Sequence, residues 1–276
     1  MKKVLYVSDL DGTLLNPESK ISDTSARLLN AAIAQGALFT IATARTPATV
    51  SGILRDVKMS LPAIVMTGGA LWHQDSNTYS EVKFMDIEVA NALMAIYRRH
   101  GLPTFVYTLG NDSIIDIYHP GPLSAVERQF IDERIDNPYK RFHEGTLPTR
   151  LDRVLLFYGL EPPQKAREVY ADVVASGIAC NPLCYFDIFG QDVGILEMFP
   201  KPTTKAAAVS AMAQHLGAES IVVFGDNVND LSMMSIADIA VAPANAIDEV
   251  KRNANMVIGP NSDDAVARFI TDHLND

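Results

Sequence analysis

Two short segments carry the residue types best suited to chemistry. Asp9-Leu10-Asp11-Gly12-Thr13 follows the apolar run Lys3–Ser8, and Gly225-Asp226-Asn227-Val228-Asn229-Asp230 follows a second run, Ser220–Phe224. Two carboxylates two positions apart, beside a glycine that permits close backbone approach, make a cramped anionic pocket. Like charges this close are unfavourable unless a cation or a shared proton offsets them. A hard cation with oxygen ligands, most simply Mg²⁺, is the natural remedy. The second segment adds two carboxylates and two amides. Alone, the first also reads as an acidic turn capping a helix, and the second as a Gly-Asp turn. Their joint placement after strands favours the metal site, because strand ends of an open parallel sheet share one edge where ligands collect.

Two further side chains suit that edge. Thr43, after another apolar run, offers a hydroxyl and a backbone N–H, and Lys205, at a helix start, offers a compact cation. Helix N-termini favour anions, and lysine serves a phosphate as a point charge. Singly, either is an ordinary surface residue.

The elements that must position these groups follow from the hydrophobic pattern. Apolar runs at Lys3–Ser8, Leu38–Ala42 and Ala63–Thr67 predict strands. Between them, Ser22 or Asp23 caps a helix carrying Leu28, Leu29, Ala32 and Ile33, which Gly36 stops. Pro47 opens another that runs to about Asp56. The same grammar returns at Thr203–Gly217, Ser220–Phe224 and Ile239–Ala242, before a final apolar pattern of Val266, Phe269, Ile270 and Leu274. Strands alternating with helices predict an α/β fold with a doubly wound parallel sheet. The middle differs. Helices are expected at Asp86–His100, Leu123–Arg134 and Pro162–Ser176, with strands at Thr104–Thr108, Ser113–Ile117, Leu151–Tyr158 and Tyr185–Ile188. The reading is a discontinuous core, residues 1–82 and 190–276, with an inserted α/β domain at 83–189.

Composition bounds the function. The 276 residues are 48% hydrophobic, enough for a substantial core, and the formal charge is −10. A surface this acidic argues against a nucleic-acid or anionic-membrane partner. No signal-peptide core or spanning apolar run occurs, and two cysteines, Cys180 and Cys184, are too few for a disulfide framework. A cytoplasmic protein is expected. Neither G-x-x-x-x-G-K-[ST] nor G-x-G-x-x-G occurs, which argues against a P-loop nucleotidase or a dinucleotide enzyme. His73, His100, His215 and His273 have no metal-binding spacing, and Trp72 with Met233-Met234 reads as packing. Nothing in the sequence reports an oligomeric state.

Taken in order, Asp9-Leu-Asp-Gly-Thr-Leu14, Thr43-Ala-Arg45, Lys205 and Gly225-Asp-Asn-Val-Asn-Asp230 resemble the haloacid dehalogenase (HAD) superfamily of phosphohydrolases, specifically its Cof-like branch with a large inserted cap. The resemblance spans nearly the whole chain and implies a Rossmann-like core. It makes Asp9 the nucleophile and Asp11 the general acid/base. Asp9, the backbone carbonyl of Asp11, Asp226 and Asp230 would hold Mg²⁺, with Asn229 near that shell. Thr43, Ala44, Arg45, Lys205 and Asn229 would bind the substrate, with Thr43 and Lys205 on the transferred phosphoryl group. The expected substrate is a small phosphorylated metabolite such as a sugar phosphate, and the expected route an aspartyl phosphate. The inserted domain is expected to cover the site and supply specificity contacts, with Tyr118, His119, Arg141 and His143 as polar candidates in turn-rich stretches.

Three positions depart from the branch. Ala44 and Ala206 stand where glycine is usual, and Gly68, in Met66-Thr-Gly-Gly-Ala70, stands where asparagine is common. The last removes a substrate contact that relatives would make. A phosphosugar mutase of the same superfamily and a catalytically silent metabolite-binding regulator are the alternatives. Net phosphate release separates the phosphatase from both.

Overall fold

A computed structural model describes residues 3–186 and 192–274. The chain begins with β1 (Val4–Ser8), α1 (Asp23–Ala34), β2 (Leu38–Ile41), α2 (Pro47–Ile53), β3 (Ala63–Val65), β4 (Ala70–His73) and β5 (Thr78–Ser80). It continues through α3 (Ile87–Arg99), β6 (Phe105–Leu109), β7 (Ile115–His119), α4 (Ala125–Asp132) and β8 (Lys140–Glu144). Next come β9 (Val154–Glu161), α5 (Pro163–Ser176), β10 (Cys180–Phe186) and β11 (Gly194–Pro200). The last part holds α6 (Lys205–Leu216), β12 (Ser220–Phe224), α7 (Leu231–Met234), β13 (Ile239–Pro243), α8 (Asp248–Asn253), β14 (Met256–Ile258) and α9 (Ala265–Asp272).

Contacts divide the chain into two units, Met1–Val82 with Thr204–Asp276, and Lys83–Thr203. The first holds a parallel sheet in the order β14-β13-β12-β1-β2. Strand β1 is central because it is apolar on both faces: Leu5 and Val7 have no exposure, and Tyr6 has 2%. That is the signature of a strand covered by helices on both sides, each such side chain contributing roughly 1.5–3 kcal/mol. Val7, Val223, Ala242 and Ile64 share one core cluster with Val209 and Met212 of α6 and Met233 and Met234 of α7. A parallel bridge between Ala42 and Ile64 ties β3 to β2, and β3-β4-β5 is an antiparallel trio that the pattern reading did not resolve. Local chemistry fixes the helix ends. The Ser22 hydroxyl accepts from the Ser25 N–H at 2.9 Å, the Thr204 hydroxyl accepts from the Ala207 N–H at 3.1 Å, and Gly217 closes α6 at φ 61°.

The second unit is a mixed sheet in the order β10-β11-β9-β6-β7-β8, antiparallel except between β7 and β8. Tyr97 of α3 and Val169 of α5 pack with Val106, Phe157, Leu196 and Met198 in one cluster. Phe130 of α4 meets Phe105, Phe142 and Tyr158. The expected boundary at 189/190 falls in residues 187–191, outside the described residues, as do the last two positions of the strand expected at Tyr185–Ile188. The contact division lies instead between Thr203 and Thr204. The cause is β11, which pairs antiparallel with β9 and β10 and so belongs to the inserted unit's sheet.

The polar candidates of this unit lie on strands rather than in loops. His119 is 1% exposed on β7, where its ring nitrogens meet Glu127 Oε1 and the Gly121 carbonyl at 3.1 Å each. Arg141 and His143 on β8 both hydrogen-bond Asp116, and His143 stacks on Tyr118 with ring centres 4.5 Å apart. Among the described residues, no helix is long and apolar enough to cross a membrane.

Candidate active site

The register of β1 with its neighbours brings the motifs together. Ser8 pairs with Phe224 on one side and Ile41 on the other. Asp9 and Gly225 therefore leave the sheet side by side, and the Asp9 N–H donates to the Phe224 carbonyl at 2.9 Å. Thr43 leaves β2 at the same edge, where the Ala42 N–H donates to the Ser8 carbonyl.

Oxygen atoms of Asp9, Asp226 and Asp230 lie within 4.8 Å of one another. Lys205, fully buried at the first turn of α6, reaches into this group. Its Nζ donates to Asp9 Oδ1 and Asp230 Oδ1, each at 2.7 Å. Asp230 Oδ2 accepts from the backbone N–H groups of Asp226 and Asn227, at 3.0 and 3.2 Å, so this side chain is held from both ends. Thr13 donates to Asp226 Oδ1 at 2.7 Å. Two glycines make the approach possible. A Cβ at Gly12 would stand 2.4 Å from Asp226 Oδ2, and one at Gly225 would stand 2.4 Å from the Asp230 Cβ.

The electrostatics match the crowding. Burial, then the nearby Asp230 carboxylate, push Asp9 up to about 7 in spite of Lys205. Burial also lifts Asp226 to about 6 against the Thr13 hydrogen bond, with Asp230 adding to the rise. For Lys205 burial pulls toward the neutral form, but Asp9 and Asp230 outweigh it and hold the ammonium above its ordinary value. Three acids offset by one ammonium leave a deficit of positive charge in a pocket lined by oxygen donors. Those residues fit a hard divalent cation.

Asp11 and Arg45 behave differently. The Asp11 carboxylate is not part of the three-acid group; Arg45 Nε and Nη2 hold it at 2.7 and 2.5 Å. These hydrogen bonds also raise the Arg45 pKa. Thr43, 1% exposed, accepts from the Arg45 N–H at 3.1 Å, leaving its own O–H to donate. Ala44 lies between them without a left-handed backbone, and Ala206 continues α6, so neither position needs glycine. Half-buried Asn229 sits on the turn between Asp226 and Asp230.

One residue at this edge escaped the sequence reading. Asn245 Nδ2 donates to the Gly12 carbonyl at 2.7 Å, bracing the Asp9–Thr13 turn. The signal was available, since Asn245 comes two residues after β13 and thus at the same strand edge.

The family model of haloacid dehalogenase-like hydrolases matches residues 6–270. The chain is 29% identical over 279 aligned residues to the 5-amino-6-(5-phospho-D-ribitylamino)uracil phosphatase YwtE of Bacillus subtilis, covering 95% of each. It is 28% identical over 281 aligned residues to the pyridoxal phosphate phosphatase YbhA of Escherichia coli, covering 96% of this chain and 97% of that one. Among solved structures, a haloacid dehalogenase-like hydrolase from Bacteroides thetaiotaomicron superposes with a TM-score of 0.77 at 21% identity, covering 98% of both chains. A protein of Thermotoga maritima gives 0.78 at 21% identity, covering 100% of this chain and 98% of that one. The chain belongs to the haloacid dehalogenase-like hydrolases, within their Cof-like phosphatases. It is an enzyme of the phosphoric monoester hydrolase class.

Proposed function

We propose that this phosphatase hydrolyses the phosphate monoester of a small metabolite, a sugar phosphate or similar, with Mg²⁺ and through phosphorylation of Asp9. One observation carries the reading: Asp9, Asp226, Asp230 and Lys205 converge at the end of β1 and β12 from segments about 200 residues apart in the chain.

Asp9, Asp226 and Asp230 would hold Mg²⁺, which when bound offsets repulsion between a carboxylate nucleophile and the phosphoryl oxygens. An Asp9 oxygen forms the bond to phosphorus as the ester P–O bond breaks. Once substrate displaces Arg45 and Asp11 takes up a proton, Asp11 gives that proton to the departing oxygen. It then takes one from the water that attacks phosphorus, breaking the Asp9 O–P bond and releasing inorganic phosphate. Lys205 and the Thr43 O–H stabilise the charge on the phosphoryl oxygens, because phosphoryl transfer depends mainly on positioning and electrostatics. The Arg45 pair fixes where Asp11 stands until substrate arrives. The curated relatives, named for phosphoribitylaminouracil and pyridoxal phosphate, support a small phosphorylated substrate. The two free cysteines support a cytoplasmic location.

Incubation with p-nitrophenyl phosphate and Mg²⁺ tests the reading. The wild type releases inorganic phosphate, and Asp9→Asn, still folded by circular dichroism, does not. Undiminished release by Asp9→Asn would remove Asp9 as nucleophile, and interconversion of phosphosugars without net phosphate would mark a mutase.

A further inference from the structure

Between β3 and β4 the backbone enters the left-handed region three times in succession, at Met66 (φ 52°), Thr67 (φ 57°) and Gly68 (φ 91°). Two of these residues carry side chains, and non-glycine residues are seldom held there unless the surroundings demand it. The Thr67 hydroxyl adds to the expense, because it is buried and has no hydrogen-bond partner among the described residues. A turn so unfavourable in isolation persists only through what it is tied to.

It is tied to both phosphate-facing elements of the proposed site. On one side the Thr67 N–H donates to the Thr43 carbonyl at 2.9 Å, and the Met66 N–H donates to the Arg45 carbonyl at 3.0 Å. On the other side Gly68 lies against the start of α6. A Cβ at Gly68 would stand 2.4 Å from the Thr204 carbonyl oxygen and 3.2 Å from the Ala208 Cβ. Thr204 caps the helix whose first residue is Lys205. The partner atom at 2.4 Å is backbone, so it cannot swing aside as a flexible side chain would.

We infer that the Met66–Gly68 turn is a spacer that sets the separation of Thr43 from Lys205, and that Gly68 is a positioning residue for phosphoryl transfer. This inference rests on the phosphatase reading above. Where the branch commonly has asparagine, this chain has the one residue that lets the turn close onto the Thr204 carbonyl. Any side chain there must push the turn and α6 apart by about 1 Å before an ordinary contact is reached. If the turn yields, its two hydrogen bonds carry the Thr43 loop with it. If the helix yields, Lys205 moves off Asp9 and Asp230. Either way the two groups that grip the phosphoryl oxygens separate.

The test compares Gly68→Ala with Gly36→Ala. Gly36 has a similar backbone angle, φ 99°, but nothing lies within 4 Å of the added methyl, so it reports left-handed strain alone. Both variants are expected to lose thermal stability. Only Gly68→Ala is expected to lose kcat per folded molecule, by about a hundredfold for a displacement near 1 Å, while Gly36→Ala stays within about threefold. A crystal structure of Gly68→Ala supplies a readout independent of turnover: the Thr43–Lys205 separation grows, or Lys205 loses one of its two 2.7 Å contacts. Unchanged Thr43–Lys205 geometry in that crystal overturns the inference, as does kcat within threefold of wild type. A wild type that hydrolyses no phosphate ester with Mg²⁺ refutes the phosphatase reading instead, and the crystal comparison still judges the spacer.

Discussion

Lys205 is completely buried with two carboxylates at 2.7 Å, so its ammonium both binds and balances. Lys205→Ala would leave Asp9 and Asp230 facing each other without their shared cation. Removing one partner of a buried ion group typically destabilises by about 3–5 kcal/mol, and we expect a loss of this order in chemical denaturation of the metal-free protein. Turnover should vanish with it. A variant that keeps wild-type stability and activity would show that the ammonium is not needed there. At this scale much of the candidate site was legible: Asp9, Asp226, Asp230, Thr43 and Lys205 are marked by residue type and by their place after strands or at a helix start, and Asp9, Asp226, Asp230 and Lys205 do converge. The pairing of Asp11 with Arg45 was not, because it joins residues 34 positions apart whose meeting depends on loop geometry. Nor was the Gly68 turn, since a sequence shows that glycine permits a left-handed backbone but not which carbonyl it approaches.

Elements with a strong period were read closely. The helix expected at Asp86–His100 is α3, Ile87–Arg99, and that at Pro162–Ser176 is α5, Pro163–Ser176. Strand β8, Lys-Arg-Phe-His-Glu, escaped because it lies at a sheet edge and carries charge rather than an apolar run. Strand β11 lies within 190–276, the segment expected in the core, yet it pairs with β9 and β10 of the inserted unit. Glu197 on β11 is a half-buried carboxylate, and its desolvation pushes it up to about 7 from an ordinary 4.5. The folded state therefore keeps a proton that the unfolded chain releases between those values, and stability falls as pH rises through that window. Glu197→Gln should raise stability at pH 8 by an amount of order 2–3 kcal/mol and change little at pH 4. Urea denaturation at the two pH values measures it; equal effects at both would place the Glu197 carboxylate in water.

For the molecule as a whole, the proposed cation would compete with protons for the same acids. Asp9 is raised from an ordinary 3.8 to about 7 and Asp226 to about 6, so in the metal-free protein both cost stability progressively as pH rises from about 4 through those values. Mg²⁺ should reverse the upper half of that trend. The gain in Tm on adding Mg²⁺ should be larger at pH 8 than at pH 5.5, with about 2.7 kcal/mol available at a hundred times the dissociation constant. Calorimetry with Mg²⁺ against a chelator checks this, and a gain independent of pH would exclude Asp9 and Asp226 as the ligands. The core-plus-insertion plan was legible because its strands alternate with helices in the first unit. The position of the second crossing, at Thr203/Thr204, was not, because strand pairing rather than sequence order decides which sheet β11 joins.

The central claim is that Asp9 takes the phosphoryl group, and borohydride trapping addresses it most directly. An acyl phosphate is reduced to the alcohol, whereas a free carboxylate is not. Enzyme quenched during steady-state turnover, reduced and digested, should contain homoserine at position 9, only when both substrate and Mg²⁺ were present. Active turnover that leaves position 9 as aspartate, with a reduced residue elsewhere or none at all, would contradict the account.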